Sequence, residues 1–148
     1  MAYEHKMRHL VEFVDTDMAG IVHFANYFRY MEATEHEFLR LLGFSVHAFH
    51  EDGRTITFPR VSATCDYKSP LRFEDEFEVQ LIVKDRREKS ITYDFRFRKL
   101  SEETVIARGS ITVVCVAVED KTKRMKAIPI PATFDSIEVA PEAAQAAV

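Results

Sequence analysis

Residues 11–42 read VEFVDTDMAGIVHFANYFRYMEATEHEFLRLL and are followed by Gly43. The stretch changes character twice, and those changes decide the fold. Up to Val14 the pattern alternates: Met7, Val11 and Phe13 are apolar with His9 between them, as in a strand with one buried face. Asp15-Thr16-Asp17-Met18-Ala19-Gly20 is rich in turn and capping residue types. From about Ala25 to Leu42, Tyr27, Phe28, Met31, Phe38 and Leu42 recur at helical spacing, which predicts an amphipathic helix that Gly43 ends.

At about 100° per residue, Glu35 falls inside the apolar arc of that helix, whereas Glu32 and His36 fall at its edge or beyond. A carboxylate in that position calls for an arginine partner or a subunit contact; a role as a second carboxylate in the chemistry is the sharper alternative.

Downstream the pattern is almost wholly that of strands. Thr55 to Tyr67 puts Val61, Ala63, Cys65 and Tyr67 on one face, with Pro59 marking an edge or a bulge. Phe77, Val79, Leu81 and Val83 alternate, as do Ile91, Tyr93, Phe95 and Phe97 against Thr92, Asp94, Arg96 and Arg98, with Asp85 to Lys89 as the hairpin between. The last long strand, about Thr104 to Val118, becomes apolar on both faces from Val113 onward. A strand, a long helix and four strands give an α+β protein: a five-stranded antiparallel sheet whose apolar face one helix covers. The ending VAPEAAQAAV has no periodicity that would bury anything. The expectation is one domain over residues 1–138 and a flexible tail over 139–148.

With 148 residues, 47% apolar and 30% charged, the chain has the size and composition of one globular domain. No apolar run approaches the roughly 20 residues that span a bilayer, and MAYEHKMRHL lacks the apolar core of a secretory signal, so a cytoplasmic address is expected. Cys65 and Cys115 form no CxxC pair and read as buried reduced thiols. A net charge of −4 argues against nucleic acid as a partner. An anionic ligand would need a local basic cluster, and two exist: Arg86, Arg87 and Lys89, then Lys121, Lys123, Arg124 and Lys126. His47, His50 and Glu51 have ligand chemistry, but their spacing matches no recognisable metal site.

The run from Asp15 to Tyr27, with Asp15, Asp17, Gly20, Ile21, Val22, Asn26 and Tyr27 in the pattern D-x-D-x-x-G-I/V-V leading into N-Y at a helix start, resembles the 4-hydroxybenzoyl-CoA thioesterase family of hotdog-fold acyl-CoA thioester hydrolases. Tyr67 to Leu71, Arg86 to Ser90 and Ile128-Pro129 are similar to the family more loosely. The resemblance implies a hotdog fold, with a five-stranded antiparallel sheet wrapped around one long central helix, and hydrolysis of an acyl-CoA to free CoA and a carboxylic acid. It makes Asp17 the catalytic carboxylate, as nucleophile or as general base on a water, and the backbone N–H of Phe24 at the helix start the oxyanion donor.

It further assigns substrate contacts to Gly20, His23, Asn26 and Tyr27, and CoA phosphates to Arg86, Arg87, Lys89 and Ser90. No cofactor is implied, and the assembly is a homodimer at minimum, or a tetramer. The chain departs from the family twice. Relatives carry an aromatic residue and then His where this chain has His23 and then Phe24, and a branch with E-x-x-R on the helix is matched here by Glu32-Ala33-Thr34-Glu35. Two further readings stand beside the thioesterase: a non-catalytic acyl-CoA or acyl-carrier-protein binding module on the same fold, and a hotdog hydratase using Asp17 with His23.

Overall fold

The computed structural model describes residues 2–45 and 49–146. The helix predicted from the apolar spacing is α1, Asn26–Leu41, and it ends as Gly43 requires. Gly43 takes a φ of 88°; its N–H donates to the Arg40 carbonyl at 3.0 Å and that of Phe44 to the Leu39 carbonyl at 2.9 Å. That pair of bonds closes the last turn around a left-handed residue, which glycine adopts without a Cβ penalty.

The helix lies on a five-stranded antiparallel sheet made of β1 (Glu4–Leu10), β4 (Arg60–Tyr67), β5 (Glu76–Arg86), β6 (Ser90–Lys99) and β7 (Val105–Val114), in the order β1-β5-β6-β7-β4. A second antiparallel group, β2 (Phe49–Glu51), β3 (Arg54–Thr57), β8 (Val116–Glu119) and β9 (Met125–Ala127), runs in the order β2-β3-β8-β9. The two groups are one surface bent at a seam: β3 leads into β4 through Phe58-Pro59 and β7 into β8 through Cys115. Proline has no N–H for the ladder, so the break falls where the sequence puts Pro59.

Met31, Phe38, Phe77, Tyr93, Phe95 and Phe97 are among the fully enclosed side chains between helix and sheet. At Gly109 on β7 the approach is closest, since a Cβ there would lie 2.4 Å from the Met31 sulfur. This is the wrapped-helix arrangement of the hotdog fold. Among the described residues, no helix is long and apolar enough to cross a membrane.

Within one chain β4, as the outer strand of the sheet, is exposed along nearly its whole length, although Cys65 is half-buried against the core and Tyr67 packs on Tyr27. One expectation is corrected. The C-terminal segment does bury something. Ala140 is enclosed, its N–H donates to the Val83 carbonyl at 2.8 Å, and a short helix, α2 (Glu142–Ala146), supplies the carbonyls of Ala144 and Gln145 to the buried Arg96. The attachment runs through main-chain groups and one arginine, so it leaves no apolar period in the sequence.

Candidate active site

Between β1 and α1 the chain makes a 3-10 turn, Phe13–Asp15, and then a tight hairpin. The N–H of Asp17 donates to the Ile21 carbonyl at 2.9 Å and that of Gly20 to the Asp17 carbonyl at 3.0 Å. Gly20 completes the turn at φ 80°, a conformation that costs other residues about 1 kcal/mol or more.

The two aspartates of the motif occupy opposite environments. Asp15 is buried; its carboxylate accepts the Glu12 N–H at 3.0 Å and lies 3.5 Å from the Arg29 guanidinium. Its carbonyl accepts the His23 N–H and the Asn26 side-chain amide, at 2.9 and 2.8 Å. Asp17 is half-buried at the hairpin, where Oδ1 accepts the Ala19 N–H at 2.8 Å. Its Oδ2 accepts nothing among the described residues, and the side chain borders two open depressions.

One of these, of about 460 Å³, is shared by Asp17, Phe24, Tyr27, Tyr67 and Lys68. The backbone N–H of Phe24 has no acceptor among the described residues, whereas the N–H groups that follow are engaged: Ala25 with His23 Nδ1 at 3.2 Å, Asn26 with the His23 carbonyl at 2.9 Å. One pocket is therefore lined by a residue with an unengaged carboxylate oxygen and by a residue with an unengaged amide. The Phe24 carbonyl accepts the Tyr67 hydroxyl at 2.9 Å, and that bond ties the helix entry to the end of β4.

Tyr67 and Lys68 were absent from the residues singled out for the site. Their signal was the looser Tyr67-to-Leu71 resemblance; their partner Phe24 lies more than forty positions away in the chain.

The other expected residues are distributed as follows. Tyr27 is a packing residue: its ring meets Tyr67 at 4.8 Å and Phe97 at 5.3 Å, and burial pushes its hydroxyl pKa up to about 12. Asn26 holds the helix start to Asp15, with its carbonyl oxygen accepting from Arg29 at 3.0 Å. His23 is exposed and stacks on Phe24, with ring centroids 4.6 Å apart.

Glu35 is buried and paired with Arg60 at 2.6 Å, the arginine partner expected for it. Desolvation raises the Glu35 pKa and the Arg60 charge opposes the rise. The basic hairpin lies at the other end of β6, which runs from Ser90 to Lys99, away from Phe97 and the helix start. There Arg87 and Lys89 are exposed and Ser90 is half-buried. Arg86 instead donates to the carbonyls of Phe134 and Ile137 at 2.6 and 2.8 Å, and pairs with Asp135 at 3.2 Å. Within one chain, then, the hairpin does not reach Asp17.

Burial pushes both cysteine thiols up to about 11, which leaves little thiolate near neutral pH for a nucleophilic role. His50 bonds the Thr55 hydroxyl at 3.0 Å, and His47 lies outside the described residues.

The chain is similar to known proteins over most of its length. It is 30% identical over 106 residues to YbgC, an acyl-CoA thioester hydrolase of Escherichia coli, covering 72% of this chain and 77% of that one. It is 28% identical over 127 residues to a 1,4-dihydroxy-2-naphthoyl-CoA hydrolase of Synechococcus, covering 82% and 81%. Among solved structures, a gentisyl-coenzyme A thioesterase superposes with a TM-score of 0.73 at 30% identity, covering 88% of this chain and 99% of that one. A 4-hydroxybenzoyl CoA thioesterase mutant complexed with 4-hydroxybenzoyl CoA shares the fold at a TM-score of 0.76 and 22% identity, covering 91% and 98%. The model of the thioesterase-like superfamily matches residues 11–144, and the chain belongs to that family.

Proposed function

We propose that the protein hydrolyses an acyl-CoA thioester with Asp17 as the catalytic carboxylate. The observation that carries this reading is the shared pocket, in which a carboxylate oxygen of Asp17 and the N–H of Phe24 both lack partners among the described residues. The thioester carbonyl enters between them. Asp17 either attacks the carbonyl carbon or takes a proton from a water that attacks it. In both routes the oxyanion that forms accepts from the Phe24 N–H, and the tetrahedral intermediate collapses by breaking the C–S bond and expelling the CoA thiolate. In the first route a mixed anhydride remains, and water hydrolyses it to regenerate Asp17.

A thiolate whose thiol has a pKa near 8.5 leaves readily, so the reaction needs no metal or cofactor. Gly20 lets the hairpin come close to the substrate, His23 and Phe24 line its mouth, and Asn26 and Tyr27 fix the helix start. The acyl-CoA relatives support the substrate class.

The functional unit is a homodimer. In the sheet register, Arg60 sits opposite Val113 and Tyr67 opposite Ala107, while Ser90 sits opposite Val114. The Arg60 end of β4 is thus the hairpin end, and the Tyr67 end is the Asp17 end. Antiparallel pairing of two β4 edges brings the hairpin end of one chain beside the Asp17 end of the other. Arg87, Lys89 and Ser90 then supply donors for CoA phosphates from across the interface.

The test is release of free CoA from benzoyl, short-chain and long-chain acyl-CoAs by the native protein and by Asp17→Asn. Turnover on one class and its loss by a factor of about a thousand or more in the variant, with fold and assembly intact, is the expected result. Undiminished hydrolysis by the variant refutes the role of Asp17. Acyl-CoA binding without turnover by the native protein establishes a binding module instead.

A further inference from the structure

Phe24 carries the proposed oxyanion donor on its main chain, and its side chain does little to hold it there. The residue is 62% exposed, and its ring stacks on that of His23, which is itself exposed. A backbone donor stabilises a developing oxyanion best when it is already in place, because a donor that swings must reorganise as the charge builds. The hold on this one has to come from main-chain hydrogen bonds at Phe24 and beside it.

On the preceding side the hold is good. The His23 N–H donates to the Asp15 carbonyl and the His23 carbonyl accepts the Asn26 N–H, both at 2.9 Å. On the following side the helix contributes little: the Tyr27 N–H lies 3.4 Å from the Phe24 carbonyl, beyond the ordinary range of about 2.7–3.2 Å. The short partner of that carbonyl is the Tyr67 hydroxyl, at 2.9 Å. Burial pushes the hydroxyl pKa up to about 12, so it remains a donor through neutral and mildly alkaline solution.

Tyr67 is itself well anchored. Its main chain sits in the sheet opposite Ala107 of β7, and the next N–H, that of Lys68, donates to the Ile106 carbonyl at 2.8 Å. Its ring meets the enclosed ring of Tyr27 edge-on, with centroids 4.8 Å apart. The hydroxyl has one proton, and giving it to Phe24 leaves none to donate to a substrate. We infer that Tyr67 is a positioning residue: by donating to the Phe24 carbonyl it ties to the sheet the residue whose N–H stabilises the oxyanion. The inference rests on the proposed hydrolysis, in which that N–H is the oxyanion donor.

Tyr67→Phe tests it, since the change removes the hydroxyl and keeps the ring on Tyr27. Water can solvate the carbonyl left behind, so the fold persists while the anchor is lost. Misplacement by about 1 Å can cost catalysis a hundredfold, and a loosened donor should cost less. For the acyl-CoA that the native protein turns over fastest, kcat should fall about ten- to thirtyfold and KM should change by less than about twofold. Assembly size and far-UV circular dichroism should be unchanged.

Two spectra follow the donor without turnover. In the unliganded protein, Tyr67→Phe should shift or broaden the Phe24 amide in a proton–nitrogen correlation spectrum. In Asp17→Asn, carbon NMR of benzoyl-CoA labelled at the thioester carbonyl should show that carbon displaced downfield on binding, and adding Tyr67→Phe should bring it back towards its free position. Native kcat in Tyr67→Phe, beside an inactive Asp17→Asn, overturns the positioning role and leaves the hydrolase reading standing. A fallen kcat with the Phe24 amide unmoved overturns it as well, because the hydroxyl then acts on the substrate directly.

Discussion

Asp15 and Asp17 are two positions apart, and the hairpin sends them to different tasks. Asp15 is a builder: its side chain accepts the Glu12 N–H and its carbonyl gathers His23 and Asn26, so the helix entry is attached to it twice. Asp17 is anchored through one oxygen, the other has no partner among the described residues, and the residue lines the pocket. Replacing Asp15 by Ala removes the acceptor that closes the 3-10 turn and the partner of Arg29. The exposed Arg29 adds little, since solvent screens it, so the expected loss is about 1–2 kcal/mol, mainly from the cap. Urea unfolding checks this: Asp15→Ala should lower the midpoint, and Asp17→Asn should not move it. A reversal of that order would mean the stabilising carboxylate has been misidentified.

At the scale of elements, the hairpin arginine and the C-terminal segment form one device. Arg86, at the end of β5, reaches the carbonyls of Phe134 and Ile137 and the carboxylate of Asp135, and Ala140 then follows β5 by bonding Val83. Charge-assisted bonds of this kind contribute about 1.5–3 kcal/mol in partly buried settings. Arg86→Ala should therefore cost about 2 kcal/mol in urea unfolding and leave KM for an acyl-CoA unchanged. A raised KM at unchanged stability would return Arg86 to the CoA contact suggested by the family resemblance.

The sequence had offered Arg86, Arg87 and Lys89 as equals, because a basic run does not reveal which guanidinium meets a carbonyl from some fifty positions downstream. Elements governed by local spacing were read well. The periodicity of α1 located the helix to within a residue at each end, with Gly43 marking its close, and Pro59 marked the seam. Contacts joining distant segments were not legible: Tyr67 with Phe24, Arg60 with Glu35, and the main-chain docking of the tail. The alternation in β4 is covered within the chain only towards its Tyr67 end, where Cys65 lies against the core and Tyr67 on Tyr27, since a period of two says that one face wants cover and not that the same chain provides all of it.

That uncovered strand is the argument for the whole molecule. β4 is the outer strand of its sheet, joined among the described residues to β7 alone, and from Val61 to Cys65 it carries no charge, proline or glycine. Sheet edges left bare in this way are templates for another strand, and monomeric proteins blunt them with lysine or proline. Around its Tyr67 end stand Phe13, Val14, Met18 and Phe24, all exposed within one chain and all beside Asp17. An apolar patch continuous with a free edge fits a twofold, self-complementary contact, in which the same strand pairs with its copy and both patches are covered at once. Such a contact also joins the Asp17 end of one chain to the basic hairpin end of the other, so assembly and activity should be lost together. Val61→Lys combined with Ala63→Lys places two ammonium groups on the edge without touching the pocket residues. The variant should elute and scatter light as a folded monomer and lose most of its acyl-CoA hydrolysis, with far-UV circular dichroism unchanged. A variant that stays dimeric would move the interface away from β4, and a fully active monomer would show that each pocket is complete within its own chain.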